Sequence, residues 1–107
     1  MKKVIRGTSF QRTYDGNFDM RVYKQFKNIA KNKNHSLNIY INKKIEELQD
    51  DIRLQKYNEN DFYENKKLFL KKKNHKFTKN MYYIHGLNMR DYLQSVMEEV
   101  IRNNDIS

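Results

Sequence analysis

The sequence predicts a mainly α-helical fold with one short N-terminal β-strand, and three observations predict it. Apolar residues recur at helical spacing over most of the chain from residue 19 onward. The first 18 residues instead combine Gly7 and Gly16 with residues that favour strands and partly alternate in polarity. A length of 107 residues and a hydrophobic content of 37% fit one compact core and leave little room for a large enzyme cavity.

The strand is predicted within residues 9–18. Its alternating residues would face opposite sides, with Ser9, Gln11 and Thr13 on one side and Phe10, Arg12 and Tyr14 on the other. The Asp15-Gly16 pair is also a strong hairpin signal. A local hairpin with strands at about residues 9–14 and 17–22 therefore stays open as the alternative.

Two capped helices are predicted next. Asp19 is a suitable N-cap, and the apolar residues after it recur at helical spacing as far as Ala30. Asn34 tolerates positive φ and is predicted to end this helix. Ser36 is predicted to cap a second helix, which runs to about Leu54.

The second half is predicted to be mainly helical, after a connection at residues 57–60. A third helix is expected from Asn60 or Asp61 to about Lys73, and residues 74–76 are expected to break it. Further along, Gly86 ends a short apolar segment.

The last predicted helix begins at an Asn88 cap and carries the strongest amphipathic pattern in the chain. From Asn103 the tail is expected to fray.

A weak internal echo relates the second helix to the last one. Residues 36–48 align without gaps on residues 88–100, with a capping residue, Tyr, an aliphatic residue and Glu-Glu at matching positions. The segments that precede them match poorly. We therefore expect a unit at 1–56 and a helical extension at 57–107 that packs on it, with a degenerate second repeat as one interpretation of the extension.

A helix–turn–helix pattern carries the most information. It consists of Ile29-Ala30, a turn residue Asn34, the opening Ser36-Leu37-Asn38, and the aliphatic residues Ile41 and Ile45. With the preceding strand, residues of about 10–50 resemble the ribbon-helix-helix DNA-binding family of the Arc/MetJ type. The resemblance implies an intertwined homodimer with a core formed by Phe10, Phe26, Leu37, Ile41 and Ile45.

In this family the strands of two chains pair into an antiparallel ribbon that lies in the DNA major groove. The resemblance also implies that the second helix holds a phosphate at its N-terminus. On this sequence the implied phosphate contacts are Arg12, Lys31, Lys33, His35 and Ser36.

Two placements of the strand predict different base contacts. If Phe18 is the last inward residue, Thr13, Asp15 and Asn17 face the groove. An earlier placement, which we favour, points Ser9, Gln11 and Thr13 outward while Phe10 and Tyr14 pack. The expected base contacts are accordingly Ser9, Gln11, Thr13 and Asn17.

The formal net charge of +9 points to a polyanionic partner, with nucleic acid first. A second basic patch has no acidic residue after Glu64 and comprises Lys66, Lys67, Lys71, Lys72, Lys73, Lys76 and Lys79. It is either a surface for the nucleic-acid backbone or a lysine-rich face whose long stems cover the core.

Several classes are not expected. The chain has no cysteine, which excludes disulfide frameworks and thiolate metal sites. Its three histidines have no metal-ligand spacing and no nucleophile motif occurs, so we expect no metal, no cofactor and no enzyme activity. Apolar runs are too short for a membrane span and no signal peptide is evident, so the cytoplasm is the expected compartment.

These observations together predict a small dimeric regulator that binds double-stranded DNA, with higher oligomers on DNA as a further option. The expected role is a transcriptional repressor, or a relaxosome or partition accessory factor, of a mobile element in a low-GC bacterium. The alternative is a phage- or plasmid-encoded inhibitor or adaptor that binds and blocks a host protein machine.

Overall fold

The computed structural model describes residues 12–106. Within this range the chain is mostly helical, with four α-helices and one two-stranded antiparallel sheet. The elements in chain order are β1 (Arg12–Asp19), α1 (Met20–Asn32), α2 (Leu37–Leu48), β2 (Tyr63–Leu70), α3 (Lys72–His85) and α4 (Met89–Ile106). The order strand, helix, helix therefore occurs twice.

Strand β1 runs straight through the Asp15-Gly16 pair, so the local hairpin prediction is wrong. A Cβ atom added at Gly16 would overlap the ring of Tyr14, which packs edge-on against Phe18 with 6.2 Å between ring centroids. Glycine leaves the space that the Tyr14 ring occupies over the strand, and the chain does not turn here. The strand lies in the later of the two placements, with Phe18 as its last inward residue before the Asp19 cap.

The sequence signals for the first two helices are confirmed. The Asp19 carboxylate accepts a hydrogen bond from the Arg21 N–H at 2.9 Å, and Asn34 adopts a positive φ of 64° in the turn. The Ser36 hydroxyl then accepts a hydrogen bond from the Ile39 N–H at 3.2 Å. Each cap satisfies a backbone donor that would otherwise lack an intrahelical partner.

Helix α2 ends at Leu48, so the predicted extension to about Leu54 is wrong. Gln49 has a positive φ of 51°, which ends the helical path. Side chains of α4 then hold the connection: Tyr92 donates to the Gln49 carbonyl oxygen, and the Ser95 hydroxyl accepts from the Gln55 N–H. The helix stops because these tertiary contacts replace its own hydrogen bonds.

Strand β2 lies where a third helix was predicted, and that prediction is wrong. Leu68 and Leu70 are both fully buried. On a helix, side chains two residues apart are separated by about 200° around the axis and point to nearly opposite sides. On a strand they point to the same side, so the burial of both leucines fits a strand. The strand pairs with β1 along its whole length, from Arg12 opposite Leu70 to Asp19 opposite Tyr63.

The break predicted at residues 74–76 lies inside α3, so it is also wrong. Asn74 does not interrupt the helix because its side chain turns inward and donates to Asn42 at 2.8 Å. The two later signals are confirmed: Gly86 has a φ of 71°, and Asn88 accepts a hydrogen bond from the Asp91 N–H at 2.8 Å.

The tail does not fray at Asn103 as expected, since α4 continues to Ile106.

A shift of 52 residues relates the two strand–helix–helix halves without a gap. It takes the residue that precedes α1, Asp19, to the residue that precedes α3, Lys71. It also takes the positive-φ residue Asn34 to Gly86. The relation seen in sequence between α2 and α4 therefore extends back through the helices to the strands.

The two halves interleave around one core. Asn42 of α2 donates to the Phe69 carbonyl oxygen of β2 at 3.0 Å, and Gln94 of α4 accepts from the Asp19 N–H of β1 at 3.0 Å. The residues assigned to a dimer core from the sequence that are described are all buried inside this one chain: Phe26, Leu37, Ile41 and Ile45. Phe10 lies outside the described residues.

Candidate nucleic-acid interface

The sheet has one face covered by helices and one face open. Odd-numbered residues point to the open side, which we call the outer face. It comprises Thr13, Asp15, Asn17, Asn65, Lys67 and Phe69. All are exposed except the half-buried Asn17, and Phe69 is 40% exposed although it is apolar. A two-stranded ribbon thus presents a row of hydrogen-bonding side chains and one aromatic ring to its surroundings.

The register gives this ribbon a local twofold axis. Asp15 lies directly opposite Lys67, and the same 52-residue shift that relates the halves takes Asp15 to Lys67. Because these two residues pair across the strands and are also equivalent under the shift, the axis passes between them. Around it, the shift takes Thr13 to Asn65 and Asn17 to Phe69.

Helix side chains close the outer edges of both strands. Beside β2, Asn38 accepts a hydrogen bond from the Phe69 N–H at 3.1 Å. Beside β1, the equivalent residue Arg90 donates to the Asn17 carbonyl oxygen at 2.8 Å. Occupied edge groups do not recruit another strand, so the ribbon is limited to these two strands at these positions. Its partner strand comes from the same chain, which corrects the expectation of a ribbon between two chains.

The N-terminus of α2 lies beside the end of the ribbon that Arg12 and Leu70 form, because Asn38 in its first turn contacts β2. The backbone N–H groups at the start of α2 point away from the helix body, and unpaired N–H groups there favour an anion. Lys33 is exposed next to this helix start, and the His35 ring stacks on Tyr40 with 5.7 Å between ring centroids.

The N-terminus of α4 lies beside the opposite end of the ribbon, and its cation is already engaged. Arg90 forms ion pairs with Asp91 at 2.9 Å and with Glu59 at 3.4 Å. Glu59 also accepts a hydrogen bond from the Asn17 amide at 3.0 Å. The two helix starts are equivalent in position but differ in the charge available to a ligand.

Positive charge is concentrated in α1 and α3. Together they hold eight of the 22 basic residues and none of the 13 acidic ones. Three exposed cations of α1 have an exposed cation 52 residues later in α3: Arg21 with Lys73, Lys24 with Lys76, and Lys27 with Lys79. The two cationic helices are thus equivalent by position as well as by composition.

The structure brings only some of the predicted site residues together. Thr13 and Asn17 lie on the outer face, and Lys33, His35 and Ser36 lie at the start of α2. Ser9 and Gln11 lie outside the described residues, so the base contacts expected of them stay predictions.

Two predicted phosphate contacts lie beside these groups. Arg12 begins β1 at an exposed position, and Lys31 is exposed in the last turn of α1.

The predicted basic patch is divided between two elements. Lys67 points to the outer face, whereas Lys66 points to the helix side with its ammonium 5.6 Å from the centre of the Tyr23 ring. The others lie at or within α3, namely Lys71, Lys72, Lys73, Lys76 and Lys79. Asp15 was expected to face the groove only in the strand placement that was not favoured, and Asn65 and Phe69 were not predicted as contacts. Their shared odd parity with Thr13 was the available signal, but it required knowing that residues 63–70 form a strand.

Burial lowers the pKa of His75, and the nearby charges of Arg12 and Lys79 lower it further. This histidine therefore lies in the positive field at the Arg12 end of the ribbon. The hydrogen bond from Arg21 lowers the pKa of Asp19, although burial opposes it. Burial and the two neighbouring cations account for the lowered pKa of His75, and the bond from Arg21 accounts for that of Asp19.

Among residues 12–106 no group of three or more His, Asp or Glu side chains is placed to hold a metal ion. In the same range no helix combines the length and apolar character that crossing a bilayer needs. Comparison with known proteins gives no match to a family model, to a curated protein or to a solved structure.

Proposed function

We propose that this protein binds duplex DNA by laying its two-stranded ribbon in the major groove, as a transcriptional repressor or as a relaxosome or partition accessory factor. The observation that carries the proposal is the open outer face, on which five of the six side chains are exposed and Asn17 is half-buried, on a ribbon backed by helices. The resemblance of residues 10–50 to the ribbon-helix-helix family supports the same function.

The dimensions suit the groove. Paired strands lie about 4.8 Å apart, and eight residues extend for roughly 26 Å. The major groove is about 12 Å wide, so it admits such a ribbon with its side chains. Asn, Lys and Thr on the outer face match the donors and acceptors of base edges, and Phe69 can contact a thymine methyl group.

Charge supports the same geometry. Helices α1 and α3 carry exposed cations and no acidic residue, although Arg21 pairs with Asp19 and Lys73 with Glu46. The start of α2 adds backbone donors beside Lys33. Such groups neutralise phosphates and fix the register of a protein on the duplex without reading sequence. The outer face then reads the bases between these contacts.

In this proposal one chain suffices for one ribbon, because β2 takes the place of a second chain's strand. The homodimer, and the assembly of several copies on DNA, stay predictions. The light-scattering mass of the free and DNA-bound protein tests both.

The proposal is tested by selecting duplexes from a random pool and measuring their affinity at several salt concentrations. Lys33→Ala should weaken binding to every sequence alike and reduce the slope of log affinity against log salt by about 1. Lys67→Ala should weaken binding mainly to the selected sequence, by roughly 5- to 150-fold.

Arg53→Ala is the matched control, since Arg53 is exposed beyond the far end of α2 and should leave both measurements unchanged. Selection that yields no preferred sequence would contradict the proposal. So would equal losses for Lys67→Ala and Arg53→Ala.

One observation favours the second candidate, a protein-binding inhibitor or adaptor. Tyr82, Tyr83 and Ile84 at the end of α3 are 62%, 78% and 61% exposed, and such adjacent apolar residues often mark protein contacts. A stable stoichiometric complex that Tyr83→Ser abolishes, with DNA binding that is weak and indifferent to sequence, would favour this candidate.

A further inference from the structure

The two halves of the ribbon present different chemistry at equivalent positions. In a symmetric dimer the twofold axis relates identical residues, so the best DNA site is a palindrome. Here the axis relates Asp15 to Lys67, a carboxylate that only accepts hydrogen bonds to an ammonium that only donates them. A palindrome presents the same base edge to both residues, and one edge cannot satisfy a pure acceptor and a pure donor in the same way.

The next positions outward also differ. The axis relates Asn17, an amide held by Glu59, to the exposed ring of Phe69. Amides pair with adenine edges, whereas an aromatic ring contacts a thymine methyl group. Lys67 adds a donor for guanine O6 and N7 beside Phe69. One half of the outer face therefore favours a different short sequence from the other.

The two ends of the ribbon also differ in charge. The end where β1 begins and β2 finishes carries Arg12 and the basic run Lys71–Lys73, of which Lys71 and Lys73 share the single carboxylate of Glu46. At the other end, where β2 begins, Glu59 and Asp61 come just before the strand in the chain, and Glu64 lies within it. A phosphate backbone is attracted more strongly to the first end than to the second.

We propose that the chain recognises a non-palindromic duplex site and binds it in one orientation only. Phe69 and its neighbour Thr13 lie on one half-site, and Asn17 and its neighbour Asn65 lie on the other. Asp15 and Lys67 face the bases between the two half-sites. This inference rests on the proposed function, because it specifies which class of duplex the outer face recognises.

The absence of cysteine from the sequence makes the orientation directly measurable. Asn32→Cys and Ile84→Cys place single thiols at equivalent exposed positions, 52 residues apart, at the ends of α1 and α3. Each thiol is labelled with an iron chelate that cleaves nearby DNA. Both variants are bound to the duplex obtained by selection.

A single orientation predicts that each labelled variant cleaves one flank, and that the two variants cleave opposite flanks. Inverting the site within the probe should exchange the flanks. Palindromes built from either half-site should bind roughly 10- to 100-fold more weakly than the selected site, since each mismatched base pair costs affinity.

The outcomes separate the two proposals. Cleavage of both flanks by each variant on a selected site would overturn the single orientation and leave DNA recognition standing. The same holds if a palindrome binds as tightly as the selected site. A failure to select any sequence would overturn the proposed function together with this inference.

Discussion

Replacing Asn42 with leucine should strongly destabilise the protein, because this side chain joins the two halves. Asn42 is 1% exposed, and its amide donates to the Phe69 carbonyl oxygen at 3.0 Å. Its oxygen accepts from the Lys71 N–H at 2.9 Å and from the Asn74 amide at 2.8 Å. Asn42→Leu keeps the volume but leaves the Phe69 carbonyl oxygen and the Lys71 N–H without their partner, whereas the Asn74 amide keeps its bond to Glu46 at 2.9 Å.

An unsatisfied buried polar group costs about 1–3 kcal/mol, and water can reach part of this site. We therefore expect Asn42→Leu to lower the free energy of unfolding by about 3 kcal/mol. For a domain of this length that corresponds to a fall in Tm of roughly 12–24 °C. A loss of this size is a large part of the roughly 5–15 kcal/mol that a small domain possesses.

The measurement is urea unfolding followed by circular dichroism, with Asn38→Ala as the matched control. Asn38 also bonds β2 from α2, through its single contact with the Phe69 N–H, but it is only partly buried. Its loss should cost about 0.5–1.5 kcal/mol. If Asn42→Leu costs no more than Asn38→Ala, the interleaving of the two halves is wrong.

Two further predictions follow from pKa shifts. Asp19→Ala should cost about 1 kcal/mol at neutral pH because α1 loses its N-cap. Because Arg21 lowers the pKa of Asp19, this contribution is present above the ordinary carboxyl pKa and is lost as pH falls through the lowered value. The difference in Tm between the unmodified protein and Asp19→Ala should therefore shrink in acid. A difference that does not change with pH would argue against this prediction. Burial and the charges of Arg12 and Lys79 lower the pKa of His75 below its unfolded value of 6.5. Between the folded and unfolded pKa values the unfolded chain binds more protons than the folded one, so stability should fall as pH falls through this range. Bound duplex should raise this pKa in an NMR titration, because phosphates offset both cations, and an unchanged value would place the phosphates elsewhere.

Local signals predicted the first half of the fold well. The caps Asp19 and Ser36 and the turn residue Asn34 act within a few residues of their own backbone, so sequence alone locates them. Gly16 misled for the same reason. Its neighbourhood looks like a hairpin turn, and only the position of the Tyr14 ring explains it.

The second strand could not be predicted from its own residues. The segment around Lys66 and Lys67 contains good helix formers, and its strand conformation depends on pairing with β1 about fifty residues away. The 52-residue echo was visible in sequence for α2 and α4, where Tyr40 matches Tyr92 and Ile41 matches Leu93. It was too degenerate before them to predict a second strand.

The candidate site was predicted only in part, because the second strand was not predicted. Thr13 and Asn17 were expected to face outward, and the structure places both on the outer face. Half of that face belongs to β2, so Asn65 and Phe69 were missed, and Lys67 was assigned to a patch instead of to base contacts. A ribbon site requires both strands, and one strand identified from sequence gives only half of it.

The central claim is that the β1–β2 ribbon lies in the DNA major groove, and methylation interference on a selected duplex tests it most directly. Dimethyl sulfate methylates guanine N7 in the major groove and adenine N3 in the minor groove within one experiment. We predict interference at guanine N7 over a continuous stretch of the site, with loss of one guanine contact in Lys67→Ala. Interference confined to adenine N3, or none at all, would contradict the claim.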